Sequence, residues 1–161
     1  MSINLNDTTP AAPNASTVNV AWQKDSSGNV SANIPLSPSL IDPIDLTAQT
    51  ANIGSANIVP TPVNGAVYKV TVYAIVTTVD GASSTLPSVV IGWTDSDNST
   101  AQTVTLTATS PTGNTLTTFV QGEVRLHAKS SAAITYATTS YASGTPATMQ
   151  YALHIRCEKL S

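Results

Sequence analysis

Few side chains in this sequence of 161 residues could do chemistry. The two histidines, His127 and His154, each lie on the polar phase of a predicted strand, with Arg and Glu near them in sequence. Nucleophilic catalysis needs a nucleophile beside a base, and no G-x-S-x-G sequence is present to offer a serine. We therefore interpret both histidines as solvated or interface side chains and predict no catalytic residue.

A second candidate is an acidic turn. Asp95, Asp97 and Ser99 have the spacing that begins a calcium-binding loop. However, Thr100 occupies the position that needs glycine, and Leu106 the position that needs a bidentate glutamate. We predict a hairpin turn, with weak cation binding as the alternative, and we predict no metal and no cofactor.

The remaining reactive groups also have structural explanations. Cys157 is the single cysteine, so an internal disulfide is excluded, and its position in the apolar phase of the last strand predicts a buried thiol. Glu123 and Glu158 each have an arginine, Arg125 and Arg156, two residues away on the same strand face. Pairing of these charges is a simpler explanation than a glycosidase carboxylate pair.

These side chains must be positioned by β-strands, of which the segment 64–80 is the clearest. It opens with Asn-Gly, closes before Asp-Gly, and is rich in Val, Tyr, Thr and Ile. Every second residue from Tyr68 to Val76 is apolar or aromatic, and the residues between them are mixed. We predict a central strand with one face in the core. Segments 102–109 and 148–158 alternate as clearly.

The pattern as a whole predicts an all-β fold. Turn signals recur about every ten residues, and no segment has apolar residues at helical spacing. We predict an antiparallel β-sandwich of jelly-roll type in residues 41–161, preceded in residues 1–40 by an extended arm and a β-hairpin over 18–34.

Three further expectations concern breaks in this pattern. Pro35, Pro38 and Pro43 are expected to end regular structure and mark the boundary between the two parts. Gly54 is expected to form a bulge or kink within the run 46–59. A short strand over 116–120 is expected to precede a separate strand after Gly122.

Residues 1–17 form the predicted arm. Pro10 and Pro13 lie among short polar residues, which favours an extended chain. Ile3 and Leu5 alternate with polar residues, which would allow the segment to add as a strand to a neighbouring subunit. The alternative is a disordered tail. These four residues are our candidates for partner binding within the arm.

Aromatic residues supply two more candidates for partner binding. Trp22, in the hairpin, is expected to pack on the main domain or on a partner. Tyr141 lies in a loop containing Ser and Gly and is expected to be exposed. Together with Trp93 and Tyr136 these residues could form a sugar-binding platform, although the phase of Trp93 predicts that it is in the core.

Composition excludes several classes of partner. Charged residues make up 9% of the chain, against about 25% in a typical soluble protein. The formal net charge is −3 and the basic residues are scattered, so we expect no nucleic-acid partner. We expect neither a signal peptide nor a transmembrane segment. Such low charge suits a protein held in a large assembly.

Several segments resemble bacteriophage virion structural proteins. The resemblance lies in the opening MSINLNDTTPAAPNASTVNVAWQKDSSGNVSANIP and in four later stretches, LTAQTANIGSANIV, GAVYKVTVYAIVTT, LPSVVIGWTDSD and MQYALHIRCEKL. It covers almost the whole chain and transfers no catalytic residue. The chain is short and lacks the repetitive shaft of a tail fibre, which argues against a complete fibre.

The resemblance implies a non-enzymatic protein made in the host cytoplasm and built into the virion. One placement is a capsid decoration (cement) protein, usually a homo-oligomer and often a trimer, that contacts the major capsid protein and further copies of itself. The alternative is a tail, fibre or receptor-binding component whose loop at 141–145 would touch a host surface sugar. A third reading, independent of the resemblance, is a secreted carbohydrate-binding module, which an exposed row of aromatics would favour.

Overall fold

The computed structural model describes residues 21–24, 30–33, 39–63, 65–81, 83–144 and 148–160. Within these ranges the chain forms ten β-strands and no helix, so no described helix could cross a membrane. The strands are β1 (Ala21–Lys24), β2 (Val30–Asn33), β3 (Ser39–Gln49), β4 (Ala56–Val59), β5 (Ala66–Thr78), β6 (Ser88–Thr94), β7 (Ala101–Leu106), β8 (Phe119–Ala128), β9 (Ile134–Thr139) and β10 (Gln150–Lys159).

The chain divides into two units, Met1–Ser37 and Pro38–Ser161. In the first unit β1 and β2 pair antiparallel, with Trp22 opposite Ala32, which confirms the predicted hairpin. The division lies just before β3, which begins at Ser39. The predicted arm, residues 1–17, lies outside the described residues.

The second unit is a sandwich of two antiparallel four-stranded sheets, which confirms the predicted fold class. The first sheet has the order β3-β10-β5-β8 and the second sheet has the order β4-β9-β6-β7. The pairing is nested, since β3 pairs with β10, β4 with β9, β5 with β8 and β6 with β7. Two further pairings, β5 with β10 and β6 with β9, complete the sheets.

Alternating strands place the core between the sheets. In β5 the residues Tyr68, Val70, Val72, Ala74 and Val76 are all buried, as predicted. In β10 every second side chain from Tyr151 to Cys157 is buried as well, including the predicted thiol, and Met149 just before the strand is also buried. Burying each large apolar side chain contributes roughly 1.5–3 kcal/mol, so these two inner strands of the first sheet anchor the unit.

Pro43 does not end regular structure, contrary to the prediction. It lies inside β3, at a bulge where the register shifts between the pairs Ile155–Ile44 and Cys157–Ile41. β3 is an edge strand, so a residue without an N–H group costs the sheet little there. A second bulge follows near Ala48, whose φ is 55°. Gly54 lies in the connection after β3 and not within a strand.

Gly122 does not separate two strands either. It lies within the continuous strand β8, opposite Val72 of β5. A Cβ atom at Gly122 would lie 2.8 Å from Cδ2 of Leu106, which belongs to β7 of the second sheet. The missing side chain therefore makes room for Leu106, and this contact joins the two sheets along one side of the sandwich.

Candidate functional site

The two histidines lie on opposite sides of β5 in the sheet, and each contacts a different carboxylate. His127 lies opposite Val67, and its Nδ1 is 3.0 Å from Asp97 Oδ2. This hydrogen bond raises the pKa of the His127 imidazole. His154 lies opposite Tyr73 and forms a hydrogen bond with Asp45 on the edge strand β3. The described residues therefore hold the histidines apart.

The acidic segment after β6 forms the hairpin turn that the sequence predicts. Asp95 Oδ1 accepts hydrogen bonds from the backbone N–H groups of Asp97, at 2.9 Å, and Asn98, at 3.3 Å. Asn98 Oδ1 accepts another from the N–H of Thr100, at 2.8 Å. These side-chain oxygens close the turn. Among the described residues no group of three or more His, Cys, Asp or Glu is arranged to hold a metal ion.

Ion pairs concentrate on the outer face of the first sheet. Arg156 makes a bidentate contact with Asp45, with both N–O distances 3.0 Å. Hydrogen bonds from His154 and Arg156 lower the pKa of the Asp45 carboxyl. Because both groups are exposed to water, this pair fixes geometry more than it adds stability. It fastens the edge strand β3 to β10.

The other ion pairs follow the strand register. Arg125 Nε lies 2.9 Å from Glu123 Oε1, as expected for the two residues on one face of β8. Glu158, however, pairs with Lys69 at 2.7 Å and not with Arg156. Lys69 lies directly opposite Glu158 in the β5–β10 register, which brings the two side chains together. The hydrogen bond to Glu158 raises the pKa of Lys69.

The second sheet has the opposite character. Within their described bounds β4, β6, β7 and β9 contain no Asp, Glu, Lys, Arg or His. Its outer face carries small or uncharged polar side chains together with one valine: Asn57, Val90, Gly92, Thr94, Thr103, Thr105, Thr135, Ala137 and Thr139. The charged residues within the described strands of the sandwich therefore all lie in the first sheet, and the second sheet presents a neutral outer face.

An exposed row of rings crosses the first sheet on its outer face. We call Phe119, Tyr73 and His154 the aromatic row, since they lie on the neighbouring strands β8, β5 and β10. The Tyr73 centroid is 6.0 Å from that of Phe119 and 6.3 Å from that of His154. Phe119 is 46% exposed and Tyr73 is 36% exposed. Solvent therefore reaches both rings.

A cleft of about 490 Å³ adjoins the aromatic row. It follows the segment between β7 and β8, with Phe119 and Gln121 at one side. Most of the residues between 107 and 118 that line it are threonines or serines, so methyl groups as well as hydroxyls face the cleft. We call it the threonine cleft. A shallower depression of about 390 Å³ lies beside it, and Tyr73, Gln121 and Glu123 contribute to its lining. Gln121 borders both spaces and lies opposite Tyr73 in the sheet.

Four of the sequence-predicted binding residues, Ile3, Leu5, Pro10 and Pro13, lie outside the described residues. Trp22 lies in β1, and the surroundings of its ring also fall outside what is described. The structure therefore leaves these five predictions as predictions.

Tyr141 is not the exposed aromatic that the sequence suggests. Its ring is half-buried and lies 5.9 Å from the ring of Tyr151, and its hydroxyl donates a 2.7 Å hydrogen bond to the carbonyl of Met149. Tyr136 is buried, and Trp93 packs against the core as its phase predicts. Among the residues whose burial the structure describes, the exposed aromatic rings are those of Tyr73 and Phe119. Tyr73 lies on the mixed phase of β5, but only the strand register reveals that Phe119 is its neighbour.

Comparison with protein-family models, with curated proteins and with solved structures gives no match to this chain. The function must therefore be inferred from the surfaces of the molecule itself. Three features are available for that purpose: the neutral face of the second sheet, the aromatic row of the first sheet and the threonine cleft beside it.

Proposed function

We propose that this chain is a non-enzymatic structural protein of a bacteriophage virion, and specifically a capsid decoration (cement) protein that binds across capsomers and stabilises the head. The observation that carries the proposal is the neutral face of the second sheet. Four adjacent strands without a charged residue are poorly protected against association. Such a surface suits a protein whose faces are covered in an assembly.

The strand order supports the same class. Nested pairing of β3 with β10, β4 with β9, β5 with β8 and β6 with β7 is what a long antiparallel hairpin gives when it winds into a sandwich. The finer proposal is that the sandwich is a jelly roll of eight strands, an architecture common in viral capsid domains. The neutral edge strands β4 and β7 would then face neighbouring subunits.

A cement protein works by contact and needs no chemistry. Each copy would bury part of its neutral face against another copy, in a homo-oligomer such as a trimer, and would contact the major capsid protein with further surface. A specific interface buries about 1,200–2,000 Å² in total, and repeated weak contacts across a shell add strength through avidity. Ile3, Leu5, Pro10, Pro13 and Trp22 remain the proposed contacts of the N-terminal arm and hairpin.

Oligomerisation of the purified chain tests the proposal. We expect light scattering after size exclusion to give an oligomer, and Thr105→Lys, on the neutral edge strand β7, to shift it toward monomer. The matched control is Thr47→Lys, an exposed threonine on the edge strand β3 of the first sheet, which should leave the oligomer intact. A wild-type monomer at all concentrations, or equal effects of the two substitutions, would contradict the neutral face as the interface.

The second candidate function is a tail, fibre or receptor-binding component that recognises a host surface glycan. The observation that favours it is the aromatic row, because exposed neighbouring rings are unusual on a surface that needs only solubility. This placement shares the virion and the fold with the first candidate. It differs in copy number and in having a ligand.

A further inference from the structure

Two exposed rings on the first sheet have no role in the core of the sandwich. Phe119 and Tyr73 lie on adjacent strands with their planes inclined by 35° and their centroids 6.0 Å apart. Both project outward from the first sheet, whose inner face already supplies the core. The electron-rich faces of such rings attract weakly positive C–H groups, as well as burying apolar area. Sugar rings carry C–H groups on one face and hydroxyls at their edges.

The lining of the neighbouring cleft specifies the polar part of the ligand. Threonine and serine hydroxyls both donate and accept hydrogen bonds, and the Gln121 amide does so with separate atoms. The Thr115 and Thr117 hydroxyls are 2.9 Å apart, and Thr115 Oγ1 also accepts from the N–H of Thr117, so the local loop is held in place. A cleft of about 490 Å³ falls within the range of about 300–1,000 Å³ for small-molecule sites.

Among the described residues, the threonine cleft offers no charged partner to an ionic ligand. No charged side chain lines the threonine cleft within the described part of the chain. Glu123 borders the shallower depression, but its carboxylate is engaged by Arg125. A nucleic acid would require cationic contacts to its phosphates. The cleft hydroxyls that already bond within the chain, such as Thr107 and Thr115, still have capacity for a further hydrogen bond to a polar ligand. A neutral, hydroxyl-rich molecule with an apolar face could stack on the exposed rings and hydrogen-bond with the threonine cleft.

We propose that Phe119, Tyr73 and Gln121, together with the threonine cleft, form a binding site for a neutral saccharide. One sugar ring stacks on Phe119 and Tyr73, and its hydroxyls exchange hydrogen bonds with Gln121 and with the threonines of the cleft. His154 continues the row on the far side of Tyr73 and extends the platform toward a second sugar unit. The proposal rests on the second candidate function, recognition of a host glycan, and is independent of the neutral face of the second sheet.

The test uses the full chain on an array of neutral oligosaccharides containing glucose, galactose, mannose and N-acetylglucosamine, with their sialylated counterparts beside them. We expect binding to at least one neutral glycan and no gain on sialylation. Phe119→Ala and Tyr73→Ala should each weaken the affinity of that glycan about tenfold, measured by calorimetry, because each removes a stacking surface. Tyr73→Phe should retain binding, since it keeps the ring.

Controls distinguish loss of the site from loss of the fold. Each ring is only partly exposed and contacts its neighbour, so the alanine variants should lose some stability but keep a single cooperative thermal transition. Leu40→Ala removes another exposed apolar side chain, 67% exposed on β3, and should bind like wild type. No binding across the array, binding that needs sialic acid, or equal binding by wild type and both ring variants would each overturn the saccharide site. None of these results would alter the oligomer test, so failure of this site and failure of the cement proposal are distinguishable.

Discussion

Gly113 offers the sharpest test of how the loop that lines the threonine cleft is held. It is buried between β7 and β8, its N–H donates a 2.9 Å hydrogen bond to the carbonyl of Ser84, and its own carbonyl accepts from the N–H of Asp80 at 3.3 Å. A Cβ atom at Gly113 would overlap Ser84 Oγ and would lie 2.8 Å from Met149 Cγ. The nearest atoms belong to the side chains of Ser84 and Met149, and both residues are buried, so neither side chain can withdraw cheaply.

The expected cost follows from that crowding. Gly113→Ala adds one methyl group to a filled space, and overpacking of this kind costs about 1–3 kcal/mol. For a chain of this size the cost corresponds to roughly 3–10 °C in the unfolding midpoint. Ser84 would also have to shift, which would loosen its 2.6 Å hydrogen bond to Asn114 Oδ1 in the cleft loop. We therefore expect weaker binding at the threonine cleft as well as lower stability.

Gly54→Ala is the matched control. A Cβ atom there meets no atom within 4 Å, and the residue is exposed. Alanine in this position should leave stability unchanged or raise it by about 0.4–1 kcal/mol, because it restricts the unfolded chain. Urea unfolding of the wild type and the two variants gives the comparison. If Gly113→Ala were as stable as Gly54→Ala, the packing around the cleft loop would be described incorrectly.

Three further predictions concern the sandwich itself. Burial raises the pKa of Cys157 to about 11, so the native thiol should resist a thiol reagent at pH 8 and react once urea unfolds the chain. The lowered pKa of Asp45 means that its contribution to stability is present above the ordinary carboxyl pKa of about 3.9 and is lost as the pH falls through the lower folded value. The protection factors of the β3 amides, which correct for the slower intrinsic exchange in acid, should therefore fall as the pH is lowered, and Arg156→Gln should reduce that pH dependence. Leu153→Ala, at a fully buried position of β10, should cost about 2–5 kcal/mol in urea unfolding, and a loss below 1 kcal/mol would contradict its place in the core.

The inner strands could be predicted because their pattern is local. In β5 the buried side chains alternate without interruption, and in β10 they alternate except at Ala152, which is buried although it lies on the other phase. Cys157 was assigned to the interior on the same basis. The alternation within residues 102–109 likewise predicts a strand. The observed strand β7 ends at Leu106, and its hydroxyl-bearing residues Thr103 and Thr105 are exposed as expected.

The edges could not be predicted because they depend on partners distant in sequence. Pro43 indicates a break when β3 is considered alone, yet a bulge opposite β10 accommodates it. Gly122 likewise appears to end a strand, but its role is to admit Leu106 from the other sheet. In both cases the reason lies in a residue more than a dozen positions away along the chain.

The candidate site also depends on contacts between residues that are distant in sequence, which the sequence pattern does not reveal. Tyr141 suggested an exposed ring because it lies in a polar loop, whereas its contact with Tyr151 and its hydrogen bond to Met149 draw it inward. The phase of Tyr73 does indicate an outward side chain, but only the β5–β8 register places it beside Phe119. The neutral sheet also emerges only when the strand order groups four uncharged strands together.

The most direct test of the cement proposal is the copy number of this chain in purified virions that contain it, measured by quantitative mass spectrometry against the major capsid protein. The proposal predicts a copy number comparable to that of the capsid protein, as expected for a subunit that covers the shell. A few to a few tens of copies would contradict it and would place the chain at a tail or vertex, where the saccharide site would become its principal surface. Absence of the chain from the particle would contradict both placements.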